Sequence, residues 1–486
     1  MKTRILQYCF LAVFFSSFEV KAQTIELKSA TPTTTTNGGS NSLVLGANSG
    51  NNTFTGDHNV FAGFSSGSSN TSGNHNVFFG SNSGRNNTTG SSNLFIGSQS
   101  GYNNITGAEN VFVGFTAGSS NTTGNWNTFV GRSAGNTNST GSSNLFLGGM
   151  AGFNNTTGGS NTFLGTSSGS ANTIGTENVF VGGQAGNQNT TAKWNTFVGV
   201  NAGYSNTTGN GNVFLGLHSG SNNITGANNT FLGTWAGTNN TDGLNNVIIG
   251  YSAGSNNGSG WNNVFLGFGA GMSTANNGSN VLIGWFSGQD LTGSGNVLLG
   301  EKTGAKAASN NVMIGNHAGE NAIGVSNQLF IDNSDTSTPL LWGDFSTDQL
   351  KLNGKVGVGD VTNFPSNSLY SNYKLFVTGG ILTDEVTVKL SGSGTWPDYV
   401  FNNDYKLKTL NELEKFINNK KHLPNMPSGE TIEENGMNVL EITKLQQEKI
   451  EELTLYIIQQ NKKTEELLNR IIEQDKRIKL LEEKKK

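Results

Sequence analysis

Residues 110–126 read N-V-F-V-G-F-T-A-G-S-S-N-T-T-G-N-W. Val111-Phe112-Val113 is a strand-forming triplet, and Gly114, Gly118 and Gly124 punctuate the remainder. The unit recurs. A short apolar triplet closed by Gly appears at Gly46, Gly63, Gly80, Gly97 and Gly114, and the series runs on to Gly284 with one constant step. The last two steps shorten, by one position to Gly300 and by two to Gly315. One such unit cannot bury its own apolar face. Stacked units can, each pairing its strand with the equivalent strand one turn away. The spacing therefore predicts a parallel β-solenoid, one repeat to a turn, and seventeen turns at about 4.8 Å each make a stack of roughly 80 Å.

Composition agrees with repetition rather than with an ordinary globular core. The chain of 486 residues has 68 Gly, 6 Pro and only 13% charged residues, too little Pro and no triplet period for collagen. A net charge of -4 is too small to argue for nucleic acid or a membrane surface as partner, and no nucleic acid is expected. The start reads as an export signal over residues 1–22, with Lys2 and Arg4 before an apolar run from Phe10 to Phe15 and Val20-Lys21-Ala22 before a cleavage at Gln23. Residues 23–40 read as a linker. The single cysteine, Cys9, lies inside the signal, so the mature chain is expected to hold no disulfide. No stretch has the length and apolarity of a transmembrane helix, and the expected location is secreted or cell-surface.

Within the repeat domain, residues 41–326, polar positions also recur. Asn precedes each triplet, as Asn59, Asn110, Asn161, Asn212 and Asn263 do, and a second row runs from Asn70 and Asn87 to Asn257. Stacked, these become ladders in which each amide bonds its copies above and below. That reading takes precedence over glycosylation of the N-T-T triplets, which needs a eukaryotic secretory host. The triplet itself is apolar on both faces. Its outer positions share one face, and the middle one, Phe in twelve units, points the other way. One face can fill the coil, which leaves Phe61, Phe112, Phe163, Phe214 and Phe265 as an expected stripe between chains. The other solution is a turn enclosing a two-layered core that covers both faces.

Past the repeats the grammar changes. Leu329-Phe330-Ile331, Leu340-Leu341-Trp342, Val356-Gly357-Val358 and Val386-Thr387-Val388 suggest a β-rich connector over residues 327–400. A small helical neck follows over 401–436, with Thr409 as N-cap of an amphipathic helix carrying Leu410, Leu413, Phe416 and Ile417, ended by His422-Leu423-Pro424. Residues 437–486 carry 21 charged side chains and a heptad seam. Ile450, Ile457, Thr464, Ile471 and Ile478 occupy a; Leu453, Gln460, Leu467, Gln474 and Leu481 occupy d. The expectation is an α-helical coiled coil, the alternative an amphipathic helix on the chain's own core.

The cores Asn246-Val247-Ile248-Ile249-Gly250 and Asn280-Val281-Leu282-Ile283-Gly284 resemble the head repeats of trimeric autotransporter adhesins, the YadA-like heads, over about residues 41–320. The resemblance implies a left-handed parallel β-roll with three chains packed together, hence a homotrimer. From Gly354 onward, G-K-V-G-V-G, W-P-D-Y-V-F, H-L-P and E-E-L-T-L-Y resemble the C-terminal regions of bacterial tail-fibre-like proteins. Some of those end in a self-cleaving chaperone that needs a Ser-Asp nucleophile. Trp396-Pro397-Asp398 stands in that place, so no self-cleavage is expected.

No catalytic constellation emerges, and the chain does not read as an enzyme. His58, His75, His218, His317 and His422 lack ligand spacing. Only five acids, Asp57, Glu109, Glu177, Asp242 and Asp290, fall between residues 40 and 300, against the Asp in every turn that a calcium roll needs. No metal or other cofactor is expected. Trp126, Trp194, Trp235 and Trp261 remain as binding candidates for sugar or protein surfaces, or as caps of the solenoid flank. The resulting expectation is a structural fibre or adhesin, tail-fibre-like at its C-terminus, that binds an unspecified receptor, matrix or polysaccharide multivalently. The alternative is a single-chain solenoid binding polysaccharide, or ice through Thr rows such as Thr122, Thr156 and Thr207.

Overall fold

The computed structural model describes residues 41–304, 306–361, 364, 371–389 and 396–485; the expected signal and linker lie outside them. The chain divides into two units, Met1–Phe376 and Val377–Lys486.

The first unit is the solenoid. Seventeen three-residue strands, β1 (Leu43–Leu45) to β17 (Val312–Ile314), pair in parallel, each with the strand one turn on. Register is strict: Val111, Phe112 and Val113 face Thr128, Phe129 and Val130. The two short steps in the sequence appear as Val281 pairing Val297 and Val297 pairing Val312. β18 (Gln328–Ile331) continues the parallel stack. Then β19 (Leu341–Asp344) and β20 (Gln349–Leu352) turn back antiparallel and cover the last edge. β21 (Val356–Val358) and β22 (Leu375–Val377) follow, with Val356 N–H donating to Lys374 O at 2.7 Å. Val386-Thr387-Val388, expected as a strand, is not one.

Glycine makes the corners possible. Gly114 sits at φ +138, and a Cβ there would lie 2.4 Å from the carbonyl oxygen of Gly131 on the next turn. Gly118, at φ +56, lies against the Phe112 ring, which its Cβ would meet at 2.6 Å.

That second contact corrects the expected inter-chain stripe. Phe61, Phe112, Phe163, Phe214 and Phe265 are each 0% exposed within the single chain. From Phe78 to Phe231 the rings stack one per turn with centroids 4.7–4.8 Å apart. The physical reason is room. Opposite each ring stand only Gly and Ala or Ser, such as Gly118 with Ala117 and Gly169 with Ser168. One phenyl fills the space that two medium side chains would otherwise share. The outer triplet positions therefore face out, the reverse of the expected arrangement.

Both Asn rows are buried ladders. The Asn110 backbone N–H donates to Asn93 Oδ1 at 3.0 Å, while its own Nδ2 donates to Gly124 O at 2.9 Å. Asn161, Asn212 and Asn263 repeat the first bond to Asn144, Asn195 and Asn246 at 2.9–3.0 Å. At the start of the row, Asn59 Oδ1 accepts from Asn76 N–H at 2.9 Å and Asn59 Nδ2 donates to Gly73 O. In the second row Asn121 Nδ2 donates to Asn104 Oδ1 and to Gly124 O. Buried amides are thus satisfied by neighbouring turns and pin the register.

The second unit opens with a 3₁₀ turn at Pro397–Phe401. Helix α1 (Leu410–Lys420) starts with a capping box, Thr409 and Glu412 satisfying each other's backbone N–H groups. A short α2 (Gly429–Asn435), capped by Ser428, was not expected from the sequence. Helix α3 (Val439–Glu483) spans 45 residues behind an Asn438 cap.

Phe163→Ala should cost about 3–5 kcal/mol in urea unfolding, whereas Thr166→Ala, on the exposed corner, should stay within about 0.5 kcal/mol. Equal effects at the two positions would put Phe163 back on the surface.

Candidate functional site

With the Phe column inside, what the solenoid offers is surface. The outer triplet positions form two columns. One alternates apolar residues with Thr: Val111, Thr128, Leu145, Thr162, Val179, Thr196. The other is apolar throughout: Val113, Val130, Leu147, Leu164, Val181, Val198. Many stand well out of the backbone, Val213 at 43% and Leu215 at 42%. The stripe follows the stack turn after turn, which goes beyond the scattered apolar residues of an ordinary surface.

Helix α3 carries the second apolar face. Ile450, Leu453, Ile457, Leu467, Ile471, Ile478 and Leu481 are all at least half exposed. The first part of the helix is held differently, by polar bonds to the neck. Tyr399 donates its hydroxyl to Glu448, Tyr405 to Glu452, and Tyr456 to the carbonyl of Lys408. Lys449 Nζ bridges Glu448 and Glu452 at 2.7 and 2.8 Å. Asn425 Nδ2 adds a bond to Glu448 at 3.0 Å. Burial pushes the Glu448 carboxyl up, but the bonds from Lys449, Tyr399 and Asn425 outweigh it and hold it below the usual carboxylate range. Its hydrogen bond to Glu448, then burial, pushes the Tyr399 phenol up to about 12. Burial and Glu452 push Tyr405 up as well.

The corners hold the exposed aromatics. Trp126 Nε1 donates to Glu109 Oε2 and Trp194 Nε1 to Glu177 Oε2, both at 3.0 Å and both across one turn. On another corner Trp235, Tyr251, Phe268, Phe286 and Trp285 touch in series, with Lys302 Nζ 5.5 Å from the Trp285 ring centroid. The Thr rows considered for ice are engaged. Thr122, Thr156 and Thr207 donate their hydroxyls to carbonyls of the next turn at 2.9–3.0 Å, so they offer no free donor lattice. The N-T-T asparagines Asn121, Asn155 and Asn206 are fully buried, which withholds their amides from a sugar-transferring enzyme.

Chemistry is sparse. Among the described residues no three His, Cys, Asp or Glu side chains gather as a metal site, and no helix is long and apolar enough to cross a membrane. His317 contacts Glu301 and Glu320 at the solenoid's end. A cleft of about 450 Å³ in the second unit is lined by His422, Met426, Met437 and Ile442 among others. No protein-family model and no curated protein matches this chain.

The neck network should respond to pH from both sides. Glu448 ionises more readily folded than unfolded, so its contribution is present above about pH 4.3 and lost as pH falls below it. Tyr399 ionises less readily folded, so its contribution is complete below about pH 10 and lost as pH rises through about 12. A tyrosine absorbance titration of the full chain should show a late-ionising class that shrinks in Tyr399→Phe. An unchanged titration in that variant would mean that the Tyr399–Glu448 bond does not form.

Proposed function

We propose that the chain is a non-catalytic structural fibre, exported to or beyond the cell surface, that associates with copies of itself and binds by many weak contacts. The observation that carries this reading is the outward stripe of Val, Leu and Ile along the solenoid. A soluble monomer does not keep such a face in water, and every turn presents it in the same register, so a second copy meets it along its whole length. The α3 seam supports the same reading independently. Its exposed Ile at a and Leu at d are the residues a coiled coil buries, with Thr464, Gln460 and Gln474 as polar layers that set register.

Three chains packed together, each a left-handed β-roll, is the assembly that the likeness of the repeats to YadA-like heads favours. In that assembly the outward stripe would take the place expected of the Phe row. The adhesive role follows from the repetition. One turn offers a weak contact at best, and many equivalent turns on several chains multiply the effective concentration of the surface. A cell-surface receptor, an extracellular matrix or a polysaccharide fits such a binder equally well.

Light scattering on residues 23–486 during gel filtration should give the mass of a trimer. Leu145→Lys with Leu215→Lys, and separately Ile457→Lys with Ile471→Lys, should each lower it without loss of the solenoid's circular dichroism. A wild-type monomer would overturn the association.

A further inference from the structure

Trp126, Trp194 and Trp261 stand on one flank of the solenoid at regular intervals. Trp126 and Trp194 are four turns apart in the same corner row, and Trp261 lies one row over on the fourth turn after Trp194. At 4.8 Å per turn the rings are about 19 Å apart along the stack. They are 61%, 60% and 49% exposed. Trp126 and Trp194 also hold φ at +57 and +60, a left-handed conformation in which a bulky side chain is out of place. Most other positions of that row hold the Ser, Asn or Gly that suit it, such as Ser143, Ser160, Gly211 and Asn228, with His58, His75, Glu109 and Glu177 as the other larger side chains. An indole there gains no core packing, only a hydrogen bond to a carboxylate of the preceding turn, and its ring is left facing solvent.

The rings are also held in place. Glu109 and Glu177 clip Trp126 and Trp194 from the preceding turn. Trp261 lies over Gly278 of the next turn, where a Cβ would come within 2.7 Å of the indole. Four turns before Trp126 the same row carries His58, its ring stacked on His75 at 5.0 Å. Between Trp126 and Trp194 the row holds only Ser143, Ser160 and the clipping Glu177, so no other large ring rises between the two indoles.

We infer that this row is a binding track for an extended, uncharged polysaccharide laid along the solenoid axis. Sugar rings stack by their apolar faces on the three indoles, and hydroxyls reach the clipping carboxylates and the small polar residues between. Ordered aromatic platforms separated by hydrogen-bonding groups match a chain that alternates apolar faces with hydroxyl edges. The carboxylates beside two of the rings disfavour an acidic polymer. The track runs along one chain, so it deepens the reading of the solenoid as a binding surface and does not depend on association.

The test is affinity electrophoresis of the full chain against a soluble β-glucan, a xylan and a dextran, with heparin as the acidic comparison. Binding to at least one uncharged polymer is expected. It should fall about 100-fold or more in the triple variant Trp126→Ala, Trp194→Ala, Trp261→Ala, and far less in each single variant, as linked weak sites require. Circular dichroism and light scattering of the triple variant should match wild type, which separates loss of the track from loss of fold or assembly. Binding to heparin alone, binding to none of the four, or binding that the triple variant retains would each overturn the inference. A monomeric wild type that still binds through the indoles would leave the track standing while removing the trimer.

Discussion

A closed turn of this repeat has room inside for one phenyl ring beside its two buried Asn amides and little else, and the whole unit is organised around that limit. The ring enters from the strand side, so the facing corner must give up its side chains: hence Gly118 against Phe112, with Ala117 beside it. The corner must then turn sharply without a Cβ, which Gly114 and its copies do at positive φ. Backbone amides and carbonyls released by such turning are recovered by Asn side chains bonding one turn up or down. Phe gives way to other side chains toward the far end. The two shortened turns, where Val281 pairs Val297 and Val297 pairs Val312, enclose Leu282 and Leu298 in place of Phe. Full-length turns also accept smaller plugs, Ile248 and Met313, whereas neither shortened turn has Phe as its plug.

Because each turn touches only its neighbours, stability builds by addition along the stack, and the ends carry the cost of missing neighbours. At the start, Val44 replaces Phe and is partly exposed, while Phe54 sets its ring edge-on against Phe61. At the other end Trp342 packs on the core, and its indole donates to Gln328 Oε1 at 3.2 Å. The antiparallel strands β19 and β20 leave the parallel stack no edge for another turn to join. An interior so fully occupied by one column of rings has no room along it for a substrate, which moves any recognition to the outside of the turns.

Period, strand positions, Asn ladders and the capped neck helix could be read from the sequence because each depends on local spacing. Thr409 with Glu412 three residues on is a signature that needs no tertiary information. The direction of the triplet could not be read from the triplet, since V-F-V is apolar on both faces and alternation gives no answer. The answer lay a few positions on, in small residues that only make sense facing something large; weighing Gly118 and Ala117 against Phe112 would have sent the ring inward. Val386-Thr387-Val388 illustrates the opposite case, a run with strong strand propensity and no partner strand among the described residues. The heptad pattern of α3 was legible because it too depends only on local spacing.

The sides of each turn carry different chemistry, and that division bears on what the solenoid can do. On the Thr corner the hydroxyls are spent on the backbone of the next turn, so that side mainly holds the stack together. On the strand side the columns are apolar or Thr in every turn, and uniformity of that kind suits a partner as repetitive as the chain itself. The corner before the strand is different again, mostly small and polar but carrying indoles at Trp126 and Trp194, four turns apart, with Trp261 one row over near the next fourth turn. A self-association surface repeats within a turn or two, as the strand columns do, because a partner's turns would recur at the same 4.8 Å. Indoles set about four turns apart do not match a partner that recurs in every turn. The strand face is thus the place to look for copies of this chain, and the indole row the place to look for a different polymer.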